Sequence, residues 1–162
     1  MARLVDEGWM RTTKSPSQLN DMAELCDEQY YNGYYGVSKN HIYNTVSGVV
    51  STVFSLFYKM SKTTSAIGVV VDNVAEIANS VNRTQLEGFL NGENMCIELR
   101  DYCYANDIIN LDVTMYYHEF QTADGRLNRY PRGNPYGDHK GKAYRINRMQ
   151  LSNGQWISPQ YG

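Results

Sequence analysis

The spacing of hydrophobic residues changes once along this chain. Between residues 15 and 106 they recur at intervals of three and four, and beyond Asn106 they fall at every second position. The first spacing predicts helices with one buried face, and the second predicts strands. Ser15-Pro16-Ser17-Gln18 opens the helical part with a capping serine, a proline at the first helical position and a glutamine placed to close a capping box. Leu19, Met22, Leu25 and Cys26 then form one stripe, with Asp21, Glu24, Asp27 and Glu28 largely outside it. Asn32-Gly33 and Gly36 predict an end near Tyr31.

Residues 42–60 are rich in valine, which favours strands, but their spacing is helical. Val46, Val49, Val50, Val53, Phe57 and Met60 follow the three-four pattern, while Ser47, Ser51 and Ser55 recur every fourth position. A broad apolar face and a small-residue face predict a helix buried on two sides. Residues 66–81 carry a heptad-like stripe of Ile67, Val70, Val71, Val74, Ile77, Ala78 and Val81. The short 61–65 link predicts an antiparallel helical hairpin, its first helix the more completely buried. Stable membrane insertion of this hairpin is disfavoured by the serines and threonines of the first helix and by Asp72, Asn73 and Glu76 in the second. A further helix is predicted from Thr84, with Glu87 completing a Thr-x-x-Glu box, to about Tyr104, interrupted around Gly92.

Beyond Asn106, Ile109, Leu111, Val113, Met115 and Tyr117 alternate with Asn110, Asp112, Thr114, Tyr116 and His118, the clearest strand in the chain. Asp124-Gly125 and Asn153-Gly154 are hairpin turn signals, the second flanked by residues 142–151 and 155–158. At 162 residues the chain is long enough for one core and too short for two. The expected fold is α+β in a single domain. An N-terminal arm occupies 1–14, a helical part 15–106, and 107–162 holds β-hairpins with a basic arm or loop rich in glycine and proline.

Composition changes this picture in two places. Fourteen tyrosines, some in pairs such as Tyr30-Tyr31 and Tyr34-Tyr35, offer large apolar faces with a polar tip, which suits half-wet packing and interfaces. Three cysteines, Cys26, Cys96 and Cys103, are an odd number without C-x-x-C spacing, so neither a disulfide framework nor a cysteine zinc site is expected. The first residues, MARLVDEGWMRTTKS, have no signal-peptide apolar core, and no run reaches the length of a transmembrane helix. Synthesis in the cytoplasm is expected.

Charge divides the chain sharply. Residues 1–124 carry eight basic and sixteen acidic residues; residues 125–162 carry seven basic and one acidic. The basic half is concentrated in GRLNRYPRGNPYGDHKGKAYRINR, residues 125–148, interleaved with tyrosine and broken by glycine and proline. Such a stretch fits a nucleic-acid surface, a contact between subunits, or neutralisation of the acidic helices within one molecule. The glycine and proline breaks favour an extended segment lying across another polypeptide. Its expected contact residues are Arg126, Arg129, Tyr130, Arg132, Tyr136, Lys140, Lys142 and Arg145. The acidic counter-surface on a second copy would be Asp21, Glu24, Asp27 and Glu28.

Catalytic patterns are sparse. His139 in GDHKGK is the one histidine in a cationic, glycine-rich setting, and a nuclease would use it as general acid or base. Lys140, Lys142 and Arg145 would then hold phosphate, with Glu119 or Asp138 assisting. No Walker loop, GxSxG, HExxH or HNH-like spacing supports this reading. No cofactor and no metal is expected. The expected function is therefore a non-enzymatic structural or adaptor subunit of a homo-oligomeric assembly. Rings, connectors and capsid-associated proteins of virus and phage particles are the analogy, which would place it in a virion. A nucleic-acid-binding protein or small nuclease using the same segment is the alternative.

Overall fold

The computed structural model describes residues 1–52, 67–133 and 143–159. The elements run β1 (Arg3–Lys14), α1 (Pro16–Tyr35), α2 (Lys39–Thr52), α3 (Ile67–Ser80), α4 (Arg83–Ala105), β2 (Ile108–Gln121), β3 (Leu127–Pro131), β4 (Tyr144–Leu151) and β5 (Trp156–Ile157). This is an α+β fold with an antiparallel sheet. The residues expected to be an N-terminal arm are instead a long edge strand, so the sheet draws on both ends of the chain. β2 is its centre. One edge of β2 pairs with β1 throughout; the other pairs first with β4 and then with β3.

Tyr116 marks the changeover. Its N–H donates to the Ala143 carbonyl at 2.8 Å, and its carbonyl accepts from the Arg132 N–H at 2.8 Å. The connection from β3 to β4 thus departs from and returns to a single residue of β2. Leu111, Val113 and Met115 are buried in the expected alternation. Ile109 is exposed while Ile108 is buried, because a register irregularity between Ile108 and Asn110 displaces the strand's first residues. The Gly125 and Gly154 turns both require positive φ, 87° and 86°, and close the two expected hairpins.

α1 begins as expected, with Gln18 N donating to Ser15 Oγ and Ser15 N donating to Gln18 Oε1. It does not stop at Tyr31. Asn32 is buried and its Nδ2 donates to the Glu28 carbonyl one turn back, so it continues the helix. A Cβ at Gly33 would meet Leu86 of α4 at 2.6 Å, which makes that glycine a packing residue. Gly36, with φ of 108°, ends the helix.

α4 is capped two residues earlier than expected. Asn82 and Gln85 form the reciprocal box, and Glu87 instead pairs with Arg83 at 3.5 Å. Asparagine is at least as strong a cap as threonine, so the earlier site prevails. The helix is continuous through Gly92. Gly88 and Gly92 share a face that lies directly on the end of β3: a Cβ on Gly92 would overlap the Pro131 carbonyl, and one on Gly133 would overlap Asn91.

α2 and α3 pack together and against α1. α3 buries Val70, Val71, Asn73, Val74, Ala75, Ile77 and Ala78, and the described part of α2 buries Ile42, Val46, Val49 and Thr52; the expected order of burial turns on residues outside the described ones. Of the small-residue face, Ser47 is exposed, and the side chains of Ser51 and Ser55 lie outside the described residues. The remainder of the expected 42–60 helix and the 61–65 link lie outside the described residues. Among the described residues no helix is long and apolar enough to cross a membrane.

Candidate interaction surface

Where β2 pairs with β4, Leu111, Val113 and Met115 face the core and leave Asp112, Thr114 and Tyr116 on the opposite, open face; where it pairs with β3, His118 and Phe120 face the core instead. On the open face the cross-strand register sets Arg11 of β1, Thr114 of β2 and Arg145 of β4 in one row. The next rows place Trp9 beside Tyr116, and Thr13 beside Asp112 and Arg148. Trp9 is 57% exposed and meets Tyr116 edge-on at 5.1 Å. Beside them Arg148 lies over Trp156 at 4.6 Å, and on the opposite side of β2 the Arg129 guanidinium lies over the Tyr117 ring at 3.8 Å. The surface therefore alternates flat guanidinium groups with aromatic rings.

Asp112 is its electrostatic anchor. Arg11 grips it with two nearly parallel bonds, Nε to Oδ1 at 2.9 Å and Nη2 to Oδ2 at 2.8 Å. Arg148 Nε adds a third at 3.0 Å, and Asn147 donates to Oδ1 at 3.3 Å. These donors cover the carboxylate and, Arg11 first among them, hold its pKa well below the usual range. Asp112 thereby holds two arginines, one from β1 and one from β4.

Among the described residues of the basic segment, all the arginines but Arg145 are paired within the molecule. Arg126 pairs with Asp124 at 3.0 Å, Arg129 with Glu119 at 3.3 Å, and Arg132 with Glu7 at 3.5 Å. Residues 127–131 are strand β3, so this part of the segment is built into the sheet. Tyr130, expected at a partner surface, is fully buried against Phe89, and Arg132 is almost so. Arg145 is exposed and has no ion-pair partner among the described residues. Tyr136, Asp138, His139, Lys140 and Lys142 lie outside the described residues.

The expected acidic counter-surface does not form one face. Glu28 is buried and accepts from His41 Nδ1 at 2.7 Å as well as from Thr45 and Asn32. Asp21 accepts from Thr52 at 2.6 Å. Glu24 and Asp27 instead line a groove between α1 and α4 with Asn20, Ala23, Glu93, Ile97 and Arg100. There the Glu93 carboxyl is pushed up to about 7, by burial first and by neighbouring Asp27 second.

Other buried groups have no evident chemistry. His118 lies inside an aromatic cluster with Phe89, Phe120 and Tyr130, and neither ring nitrogen has a partner. Burial and then the Arg132 charge lower its pKa to about 3, so it is neutral. Glu119 points to Arg129 on the other face, as strand geometry requires of neighbours. The three cysteines are buried free thiols; burial drives Cys96 up to about 12 and Cys103 to about 11. No group of three His, Cys, Asp or Glu side chains among the described residues is placed to hold a metal ion.

Neither β1 nor its contribution to this surface was expected, because Trp9 and Arg11 lie in a segment without clear alternation. No family model, curated protein or solved structure matches the chain.

Proposed function

We propose that the protein is a non-enzymatic assembly subunit that docks a second copy of itself through the open face of its sheet. The observation that carries this reading is Trp9, more than half exposed beside Tyr116 and framed by Arg11 and Arg145. Tryptophan, tyrosine and arginine are the residue types that dominate the energetic centres of protein interfaces. A ring or filament of such subunits is the kind of structure a particle connector makes, and that analogy comes from fold class alone.

The same residue types could stack nucleic-acid bases. Ion pairing weighs against it. Arg11 and Arg148 are committed to Asp112, and Arg129 to Glu119, so phosphates would compete with carboxylates already in place. Binding driven by phosphate needs several uncommitted cations.

Sedimentation of wild type against a Trp9→Glu, Arg145→Glu double variant tests the proposal. Both side chains are exposed, so the fold should survive substitution. Wild type should associate with rising concentration and the variant should remain monomeric. A wild type that stays monomeric at high concentration, or one that binds single-stranded nucleic acid tightly as a monomer, would overturn it.

A further inference from the structure

The last turn of α1, with His41 at the start of α2, carries a second aromatic surface. Tyr31, Tyr34 and Tyr35 follow three-four spacing on one side of α1 and are between 39% and 69% exposed. The rings contact one another. Tyr34 meets Tyr35 at 4.7 Å, Tyr31 meets Tyr35 at 5.0 Å, and His41 stacks on Tyr31 at 4.6 Å. His41 is itself held by the buried Glu28 at 2.7 Å. A buried carboxylate thus fixes an exposed ring, and the patch is preorganised without being needed by the core.

We propose that this tyrosine patch is the counter-surface that receives the arginine-bearing sheet face of the next copy, giving a head-to-tail contact. The inference rests on the assembly reading above and names its missing half. Guanidinium planes pack on aromatic faces better than ammonium groups do, and this chain already makes that contact twice, at Arg129 on Tyr117 and Arg148 on Trp156. The patch supplies rings without a competing cation: His41 is tied to Glu28, and neighbouring Lys39 is tied to Asp72 at 3.2 Å. On the other side, Arg145 is exposed and unpaired among the described residues, and Trp9 stands on the same face across β2, one row along.

Long-range charge acts in the same direction. Acids outnumber bases by ten to three along the described helices, so the layer bearing the patch attracts a basic approach. The patch also takes the role expected of Asp21, Glu24, Asp27 and Glu28, two of which are occupied internally. Because patch and sheet face are different surfaces, their contact is heterologous and propagates into a ring or an open filament.

Complementation of two variants tests it. Tyr34→Ser with Tyr35→Ser removes the patch, and Trp9→Glu with Arg145→Glu removes the sheet face. Each variant alone should associate at least about tenfold more weakly than wild type. Mixed in equal amounts they should form a dimer and stop there, since each keeps the half the other lacks. Circular dichroism would verify that both remain folded. If the tyrosine variant associates as wild type does, or the mixture stays monomeric, the patch is not the mate. If the sheet-face variant associates as wild type does, the assembly reading itself fails, and the two failures are told apart.

Discussion

The hydroxyl of Tyr130 on β3 donates to Oε1 of Gln29 on α1 at 2.8 Å, with both side chains fully buried. Gln29 Nε2 donates onward to the Val74 carbonyl of α3 at 3.0 Å. One polar relay therefore joins the sheet to two helices through the buried core. Tyr130→Phe keeps the ring against Phe89 but leaves the Gln29 oxygen without its donor. The expected loss is about 1–3 kcal/mol in denaturant unfolding. A change within about 0.5 kcal/mol, the usual range for uncoupled surface sites, would show that the relay does not couple the layers.

Gly92 should be intolerant where Gly48 is tolerant. Alanine ordinarily stabilises a helix interior over glycine by about 0.5–1 kcal/mol. At Gly48 a Cβ meets nothing within 4 Å, so Gly48→Ala should deliver that gain. At Gly92 the Cβ would overlap the Pro131 backbone, which cannot rotate away as a side chain can. Gly92→Ala should lose about 1–3 kcal/mol net. Equal melting shifts for the two variants would contradict the close approach of α4 to β3.

His118 makes the fold acid-sensitive. Its folded pKa of about 3 lies below the ordinary 6.5, so the unfolded chain binds a proton that the folded one refuses between those values. Stability contributed by the neutral ring is complete above 6.5 and falls as pH drops, by about 1.4 kcal/mol per pH unit. His118→Phe should flatten the stability profile between pH 4 and 6.5, and it removes two unpaired nitrogens from an aromatic cluster. An unchanged acid limb in the Phe variant would assign the sensitivity elsewhere.

Glu93 acts with the opposite sign. Its carboxyl, raised to about 7, keeps a proton that the unfolded chain loses above 4.5, so stability falls as pH climbs between those values. Asp27 and Glu24 face it from α1, and Arg100 from its own helix. Glu93→Gln should stabilise the protein at pH 8 relative to pH 4 by about 1 kcal/mol, after allowance for solvent screening of a partly exposed group. Thermal melts of the variant and wild type at the two pH values measure it. A Gln variant no better off at pH 8 would mean the Asp27 contact is not formed in solution.

The helices were legible because each has one apolar stripe against the core, and the Ser15–Gln18 cap is written in consecutive residues. Strand β1 was not, since its inward positions include Thr12 and Lys14 as well as Met10. Lys14 is buried with only Thr12 and the Thr13 carbonyl to bond, and burial lowers its pKa to about 8. A strand that buries a lysine carries no alternation to read. β3 was hidden as well, because it turns polar Asn128 inward beside Tyr130 and carries Arg129 on the side facing Glu119.

The charge division along the chain was legible, but its consequence was not. Glu119 meets Arg129 and Glu7 meets Arg132 only because β1, β2 and β3 are neighbours in the sheet. Acidic residues early in the sequence thereby meet basic residues late in it, and this pairing depends on topology. No count of charges by segment contains it. The tyrosine excess pointed toward interfaces, yet which tyrosines stay outside followed from where α1 ends at Gly36.

Tyr116 fixes both margins of the β3–β4 connection with its own N–H and carbonyl. Whatever intervenes begins and finishes a few ångströms apart, so residues could be added or removed between Gly133 and Ala143 without shifting either strand along β2. Lengthening a connection whose ends are already together costs only a logarithmic amount of entropy, about 0.6 kcal/mol per doubling. The molecule thus carries a natural grafting point, where a peptide tag or a binding loop could be spliced in while the sheet keeps its register.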